Sequence, residues 1–374
     1  MTGPARHVVS GPAAIADGRG GFSIETIEVD PPGPGEVRVA MAAAGVCHTD
    51  HASLHWPGPL VMGHEGAGHV ESVGDGVRGF EPGQPVLLNW AIPCGDCFQC
   101  TRGAQALCER THELDVPRLG TSRAHVGGTR FRCEPIGRSF HLGTFATHTL
   151  VRAEAVTPLP SDLPLDAACI LGCAVMTGVG SAINVAAVAA GDSVAVVGCG
   201  GVGLNVVQGA RLAGATTIIA IDRLPSRLRR ARELGATHVL QTAGHDDPQP
   251  LVDAVRTLSG GRGVDHAFEA TGVPALALLP LQLARNGGNA LQVSGAHGDG
   301  NVELPRFFWN KRYLAPLYGD CVPARDFPRL FAWAAEGLLE VASLVSHHYP
   351  LHDLGQAFAD MLDGRSAKGV LRIA

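Results

Sequence analysis

The sequence has almost no lysine and slightly fewer basic than acidic residues. Its 374 residues carry a formal net charge of −6 at pH 7, and Lys311 and Lys368 are the only lysines. A general nucleic-acid binder needs a basic face, so this balance argues against nucleic acid as a partner. The sequence also lacks an apolar run of the roughly 20 residues that span a bilayer, so we expect no membrane partner. With 45% hydrophobic and 17% charged residues, the chain is expected to be globular rather than disordered.

The first ten residues, MTGPARHVVS, contain no apolar signal segment, so we expect a reducing, cytoplasmic location. A chain of 374 residues is too long for one typical core, which favours two domains. The 49 glycines and 25 prolines predict many tight turns, which is typical of β-rich and α/β architectures.

The pattern of predicted secondary structure changes along the chain. Residues 1 to about 160 contain short apolar or alternating segments such as EVRVAMAAAG and QPVLLNW between Gly/Pro turns, which predicts an antiparallel, barrel-like arrangement. After residue 175, strand patterns at 193–198 and 216–222 alternate with helical patterns such as residues 201–213, which indicates a doubly wound parallel sheet.

The last segment begins at about residue 317, and its helix DFPRLFAWAAEGLL and closing strand GVLRIA are expected to return to the first domain. The predicted fold class is therefore α/β. A β-rich domain covers residues 1–174 and 317–374, and a doubly wound domain covers residues 175–316.

Four cysteines stand close together in the run CGDCFQCTRGAQALC, at Cys94, Cys97, Cys100 and Cys108. Thiolates at this spacing can close a tetrahedral shell around one Zn²⁺, which leaves no position for a substrate. Two disulfides or four ordinary buried thiols are the alternatives. Because cysteine clusters in cytosolic chains more often bind metal than form disulfides, we predict a structural zinc site that holds a loop in place.

A glycine motif follows the predicted strand at 193–198 and opens a helix. Its residues are Gly198, Gly200, Gly201, Val202 and Gly203. Asp222 ends the next predicted strand, and this context indicates a dinucleotide whose phosphates meet the helix N-terminus. The Asp222 carboxylate can accept hydrogen bonds from ribose hydroxyls and would repel a 2′-phosphate, which favours NAD, although Arg223 weakens that preference. The alternative is a glycine-rich turn that binds no dinucleotide.

A second group of zinc-type ligands is scattered through the sequence. Cys47 lies in GVCHTD, His64 and Glu65 in GHEGAG, and Cys173 in LGCAVMTG. Three protein ligands with one open position are the signature of a catalytic zinc, and a Cys2His set is one known form. Spacing alone does not show that these residues meet, and it favours two buried thiols and a core histidine.

Together, the GHEGAG, CGDCFQC, LGCAVMTGVG and GCGGVG segments resemble the zinc-dependent alcohol dehydrogenases of the medium-chain dehydrogenase/reductase family, from about residue 20 to the C-terminus. The stretches LGCAVMTGVGSAIN and LYGDCVPARDFPRL are similar to bacterial mycothiol-dependent formaldehyde dehydrogenases and nicotinoprotein-type alcohol dehydrogenases. The resemblance implies a GroES-like catalytic domain, a Rossmann domain that binds NAD, and two zinc ions per chain.

The resemblance implies that Cys47, His64 and Cys173 bind the catalytic zinc. It implies that Glu65 lies in or just behind the first shell and can transiently approach the metal. It also implies that Thr49, the hydroxyl residue two positions after the first ligand, takes the proton of the alcohol.

Further cofactor contacts are implied outside the glycine motif. His48 and Lys368 match positions that contact the pyrophosphate, and Thr177 matches one at the nicotinamide end. Arg227 matches a basic residue near the adenosine ribose.

The chain departs from the family at the end of the proton relay. Many members carry a histidine five residues after the first cysteine ligand, whereas this chain has Ala52 there and histidines at His51 and His55. Either histidine substitutes after a small loop shift, or the proton leaves through water and His51 is an exposed loop residue.

The resemblance places Trp90 in an aromatic wall of the substrate pocket, and Phe140 and His141 suggest a bulky or aromatic lining. The expected reaction is hydride transfer between a primary alcohol or aldehyde and NAD through a zinc-bound alkoxide. The alternative substrate is a thiol–formaldehyde adduct, as in mycothiol-type formaldehyde dehydrogenases. A binding or structural protein that keeps the family fold without catalysis is disfavoured, because metal-binding residue types occupy all three positions that the resemblance assigns to the catalytic zinc.

A long insert lies between Cys108 and Phe145. In the family such a loop goes with dimers rather than tetramers, so the resemblance implies a homodimer whose cofactor-domain sheets join edge to edge.

Overall fold

The computed structural model describes residues 7–111, 128–242, 247–296, 298–299 and 301–373. Part of the predicted insert, residues 112–127, therefore lies outside the described residues. The chain divides into two compact units. The first comprises Met1–Cys173, Val322–Glu336 and Val341–Ala374, and the second comprises Ala174–Cys321 and Gly337–Glu340.

The described residues form short strands and helices. The strands are β1 Val9–Ala16, β2 Phe22–Val29, β3 Glu36–Gly45, β4 Leu60–Val61, β5 Gly66–Val73, β6 Pro85–Leu88, β7 Thr129–Phe131, β8 Glu134–Pro135, β9 Gly137–Arg138, β10 His148–Arg152, β11 Val156–Pro158, β12 Ser193–Val197, β13 Thr217–Asp222, β14 His238–Gln241, β15 Val264–Glu269, β16 Ala284–Gln292, β17 Arg312–Leu314, β18 His347–Pro350 and β19 Gly369–Arg372. The α-helices are α1 His48–Ala52, α2 Phe98–Thr101, α3 Leu165–Ala168, α4 Ala174–Gly180, α5 Gly201–Leu212, α6 Pro225–Glu233, α7 Gln249–Leu258, α8 Pro280–Leu283, α9 Pro323–Ala335 and α10 Leu354–Leu362.

The first unit holds two sheets whose strands pair mainly antiparallel, as its alternating pattern predicts. Their orders are β8-β7-β2-β1-β4-β9 and β11-β6-β5-β3-β19-β18, with β10 also paired to β3. Strand β3 alternates so that Val37, Val39 and Met41 point into one hydrophobic core. The closing strand β19 pairs antiparallel with β3, which ties this part of the C-terminal segment to the first unit.

The second unit is built on one parallel sheet of six strands in the order β14-β13-β12-β15-β16-β17. This is the strand order of a doubly wound dinucleotide-binding fold. Strands β12 and β13 are almost continuously apolar. This composition is typical of a parallel sheet whose two faces are both covered by helices. This strand order places the glycine motif next to Asp222, because the two features lie at the carboxyl ends of the adjacent strands β12 and β13.

The helices are short, and the longest described one is α9 with 13 residues. Among the described residues, no single helix has the length and apolar composition to cross a membrane. One bent pair of apolar helices meets those criteria by length and composition alone.

Candidate functional site

The four clustered cysteines converge as their spacing predicts. Their sulfur atoms all lie within 4.8 Å of one another, and the Sγ atoms of Cys94 and Cys100 are 3.9 Å apart. Four sulfurs at about 2.3 Å from a tetrahedral zinc would lie about 3.8 Å apart. The donor set therefore fits a closed zinc shell. All ten cysteines of the chain are free, so the disulfide alternative is not supported.

Backbone amides point at these sulfurs. The N–H groups of Cys97, Cys100 and Cys94 donate to the sulfurs of Cys94, Cys97 and Cys108, each at 3.4 Å. Amide hydrogen bonds from Cys100 and Glu109 lower the pKa of Cys97 to about 6, whereas a side-chain hydrogen bond with Asp96 raises that of Cys94 to about 12. The loop therefore stabilises thiolate at Cys97 before any metal binds.

The second group of predicted ligands also meets in space. One donor atom each of Cys47, His64, Glu65 and Cys173 lies within 4.8 Å of the other three. Cys47 precedes helix α1, His64 and Glu65 precede strand β5, and Cys173 follows a 3₁₀ turn. The alternative of unrelated buried thiols and a core histidine is not what the fold shows. Two thiols, an imidazole and a nearby carboxylate fit zinc.

A carboxylate that the sequence analysis missed orients the histidine. Asp50 Oδ1 lies 2.7 Å from His64 Nδ1, which must donate because a carboxylate only accepts. The other oxygen, Oδ2, accepts the backbone N–H of Cys47 at 2.9 Å. Burial would lower the pKa of His64, but the Asp50 charge raises it well above its ordinary value. Because Nδ1 is engaged by Asp50, Nε2 is the ring nitrogen left for a metal. An acidic residue just after the first ligand, in CHTD, was the available signal.

The two thiols are hydrogen-bonded to each other. This bond is the largest contribution that lowers the pKa of Cys47, and the neighbouring His64 lowers it further. The same bond, together with burial, raises the pKa of Cys173. Thiols bind metal as thiolates, so metal binding here would release protons from the pair.

Glu65 pairs with Lys368, which the resemblance had assigned to the pyrophosphate. Lys368 Nζ donates to Glu65 Oε1 at 2.6 Å and to the Val46 carbonyl at 3.0 Å. Both charged side chains are buried. Burial raises the pKa of Glu65, and the Lys368 ammonium opposes that rise.

The other residues predicted near the reaction lie around helix α1. Thr49 Oγ1 is 3.7 Å from Cys47 Sγ. The His51 ring packs edge-on against Phe358 with centroids 5.4 Å apart, and His48 is exposed at the start of the helix.

An aromatic cluster covers one side of His64. The Phe140 ring centroid lies 4.8 Å from that of His64, 5.1 Å from that of Trp90 and 5.6 Å from that of Trp56. Trp56 was not singled out from the sequence. Phe140 and the following His141 both have positive φ, at 50° and 63°. A bulky residue adopts that conformation only where its surroundings hold it.

In the second unit, the glycine motif forms the expected turn between strand and helix. Gly198 has φ of 93°, and helix α5 begins at Gly201. A Cβ atom on Gly203 would stand 1.8 Å from the Gly198 carbonyl oxygen, so only glycine fits there. The N-terminal amides of α5 are the groups that bind phosphate in such folds.

Asp222 faces this turn. Its Oδ2 accepts the Cys199 N–H at 2.7 Å, its Oδ1 accepts the Leu224 N–H at 2.9 Å, and Arg227 lies 3.9 Å away. Arg223 is exposed, and Thr177 is buried in helix α4 of the same unit.

The chain matches two known family models. The alcohol dehydrogenase GroES-like domain matches residues 33–161, and the zinc-binding dehydrogenase model matches residues 201–336.

Individual relatives are similar over nearly their whole length. The S-(hydroxymethyl)glutathione dehydrogenase of Photobacterium damsela subsp. piscicida is 36% identical over 374 residues, which are 96% of this chain and 98% of that protein. Alcohol dehydrogenase 1 of Trifolium repens is 32% identical, with 100% of each chain covered. The crystal structure of benzyl alcohol dehydrogenase from Acinetobacter calcoaceticus superposes with a TM-score of 0.88 at 29% identity, covering 98% of this chain and 100% of that one.

Proposed function

Because the chain belongs to the zinc-dependent alcohol dehydrogenase family of medium-chain dehydrogenases/reductases, we propose that it transfers hydride between a primary alcohol or aldehyde and NAD. The convergence of donor atoms from Cys47, His64 and Cys173 carries this proposal. These three residues would hold a zinc ion, and a bound zinc would supply Lewis-acid chemistry to an alcohol or carbonyl oxygen.

Side chains around that centre have distinct proposed tasks. Thr49 accepts the alcohol proton, because its hydroxyl lies beside Cys47 at 3.7 Å and is half-buried. From there the proton leaves through His51, after a small shift of the loop, or through water; the His51 ring packs edge-on against Phe358. Trp90 and Phe140 orient the carbon skeleton and exclude water from one side.

In this proposal the two units have different functions. The first is the catalytic domain, and the second binds NAD at its glycine motif. The Asp222 carboxylate favours NAD over NADP because it accepts ribose hydroxyls and repels a 2′-phosphate. His48, Thr177, Arg223 and Arg227 remain predicted cofactor contacts.

A thiol–formaldehyde adduct is the second candidate substrate. The supporting observation is the 36% identity to an S-(hydroxymethyl)glutathione dehydrogenase across nearly the whole chain. The chemistry is the same, since such an adduct is a primary alcohol whose carbon carries sulfur.

Absorbance of reduced nicotinamide tests both candidates with the zinc-loaded protein. We expect turnover of free NAD⁺ with aliphatic or benzylic primary alcohols, and no turnover by Cys173→Ala. Activity with formaldehyde only when a low-molecular-weight thiol is added would instead identify the adduct. Tightly bound nicotinamide without turnover of added NAD⁺ would indicate a nicotinoprotein. No hydride transfer with any of these substrates would refute the proposal.

We further propose a homodimer that joins two sheets at strand β17, which ends the sheet order of the second unit. The segments flanking this edge carry exposed apolar side chains, namely Leu304, Phe308, Trp309 and Leu317. Light scattering should give a dimer for the wild type and a monomer for Trp309→Asp. The exposed Phe98 of the cysteine loop supplies the control, since Phe98→Asp should remain dimeric. A tetramer would contradict the proposal.

A reducing, cytoplasmic location is also proposed. It is supported by ten free cysteines, four of which surround a predicted metal site that oxidation would destroy. Fractionation of the producing cells with an antibody against the protein would test it.

A further inference from the structure

Three consecutive residues of the second unit have a left-handed backbone. Tyr318, Gly319 and Asp320 have φ of 56°, 59° and 52°, and the Asp320 N–H closes the turn by donating to the Leu317 carbonyl at 3.1 Å. Residues with a side chain adopt this conformation at a cost, and they normally do so singly. Such a run persists only where its surroundings hold it, and strained backbone of this kind clusters at ligand sites.

Helix α4 holds this left-handed turn by direct backbone contact. A Cβ atom on Gly180 would stand 2.5 Å from the Gly319 carbonyl oxygen. A Cβ atom on Gly319 would in turn stand 2.7 Å from the Met176 carbonyl oxygen. Any side chain at residue 180 or 319 would therefore separate the turn from the helix.

The side chain of Asn184 supplies a second attachment. Its Nδ2 donates to the Gly319 carbonyl at 3.0 Å. Asn184 lies in the π-helical turn Ser181–Val185 that directly follows α4, and such turns are rare and frequent at functional sites. Because Gly319 is buried, loss of the amide would deprive its carbonyl oxygen of a donor in the interior and favour relaxation of the turn.

The position of the turn in the sheet indicates what it serves. It follows the carboxyl end of strand β17, and ligands of doubly wound sheets bind outside the carboxyl ends of the strands. Asp222, proposed to bind the adenosine ribose, ends β13 on one side of β12. A dinucleotide crosses the sheet at the glycine motif after β12, so its second nucleotide lies over β15, β16 and β17. That half of NAD carries the nicotinamide.

Helix α4 also lies against the helix that opens the phosphate site. A Cβ atom on Gly178 would stand 2.5 Å from the Val202 carbonyl oxygen, in the first turn of α5. One helix of seven residues thus contacts both the start of α5 and the left-handed turn. It fixes the distance between the phosphate-binding amides and the turn, which lowers the cost of ordering a ligand that reaches from one to the other.

We propose that Asn184 is a positioning residue for the nicotinamide half of NAD, and that it acts by holding the left-handed turn Tyr318–Asp320 against α4. The inference rests on the proposed function, which assigns NAD to this unit. Asn184 acts through Gly319 and touches no reacting atom. The adenosine half is held by other groups and does not depend on Asn184.

Calorimetric titration of the zinc-loaded protein with NADH and with ADP-ribose tests this inference. ADP-ribose keeps the adenosine, both phosphates and the second ribose but lacks the nicotinamide ring. We expect Asn184→Leu, which has nearly the same shape but no donor, to bind NADH about tenfold more weakly. Its affinity for ADP-ribose should equal that of the wild type, whereas a general defect of the fold would weaken both ligands.

Gly319→Ala provides an independent perturbation that keeps the asparagine. Its added Cβ pushes the turn away from α4, so it should show the same selective loss of NADH affinity, and it carries the test if Asn184→Leu does not fold. Asn286→Ala is the matched control, since Asn286 is an exposed asparagine near the amino end of β16 in the same unit. Its affinities for NADH and ADP-ribose should both be unchanged.

Two results would overturn the inference. One is wild-type NADH affinity in both Asn184→Leu and Gly319→Ala. The other is an equal loss of NADH and ADP-ribose affinity in these variants, which would mean that the turn supports the unit as a whole. Failure of the proposed function is distinguishable, because the wild-type protein itself would then bind no NADH or would bind it without hydride transfer.

Discussion

Asp50 and His64 form a buried pair in which the carboxylate Oδ1 lies 2.7 Å from the imidazole Nδ1. The second carboxylate oxygen accepts the backbone N–H of Cys47. One side chain thus fixes two of the three proposed metal ligands, the first through its ring and the second through its main chain. Such partners orient a histidine and select the ring nitrogen that binds metal.

Replacing the Asp50 carboxylate should weaken zinc binding more than it destabilises the fold. We expect Asp50→Ala to lower zinc affinity at this centre about 10- to 100-fold, because His64 loses its orienting acceptor. Competition with a chromophoric chelator measures the affinity. The matched control is Asp192→Ala, which removes the carboxylate 3.0 Å from His266 in the second unit, away from any predicted ligand. Equal zinc affinity in wild type and Asp50→Ala would contradict the role.

The two cysteine sites should respond differently to the loss of one thiol. Cys100→Ser opens a closed shell, so we expect one zinc per chain instead of two and a melting temperature at least about 5 °C lower. Cys173→Ser should also leave one zinc, but with the fold intact and turnover reduced by more than about 100-fold. Metal analysis and circular dichroism separate the two. Full activity in Cys173→Ser would invalidate the assignment of the catalytic centre.

Features that depend on local pattern could be predicted from the sequence. The strand expected at 193–198 and the helix expected at 201–213 correspond to Ser193–Val197 and Gly201–Leu212. They could be predicted because a buried strand and a helix each impose a characteristic spacing of apolar residues on neighbouring positions. The four-cysteine site is equally local, since all its ligands fall within one loop.

Contacts between distant segments could not be predicted in this way. Lys368 and Glu65 are 303 residues apart, and the pairing of β19 with β3 helps to bring the lysine to Glu65. Trp56 leaves no local signal either, since its role depends on which side chains pack against it. The scattered residues proposed to bind the catalytic metal could be brought together only through family resemblance, because spacing carries no information on a site that tertiary structure assembles.

Cofactor choice should depend on Asp222. Removing its carboxylate deletes a charged acceptor for the ribose hydroxyls, so Asp222→Ala should bind NAD about 10- to 100-fold more weakly. NADP binding should weaken less or improve, because the repulsion of a 2′-phosphate disappears. Fluorescence titration of both reduced cofactors gives the ratio. Asp253→Ala, which removes an exposed carboxylate of the same unit, should bind both like the wild type. An unchanged NAD:NADP ratio in Asp222→Ala would refute this role.

Asp265 should make stability depend on pH in the acid range. Burial would raise its pKa, but hydrogen bonds from the Ser193 hydroxyl and backbone and the Arg285 guanidinium outweigh burial and lower it to about 2. A lowered pKa in the folded state means that the ionised form is stabilised. That stability is complete above the unfolded value of about 4 and is lost as the pH falls through about 2.

Asp265→Asn should therefore be less stable than the wild type by about 2 kcal/mol at pH 7, and this difference should shrink steadily between pH 4 and pH 2. Urea unfolding of both proteins, followed by circular dichroism at a series of pH values, measures it. Since both proteins lose bound metal in acid alike, the difference isolates Asp265. Asp253→Asn, an exposed aspartate on helix α7, should match the wild type throughout. A difference that stayed constant down to pH 2 would show that the Asp265 charge is not what stabilises this end of the sheet.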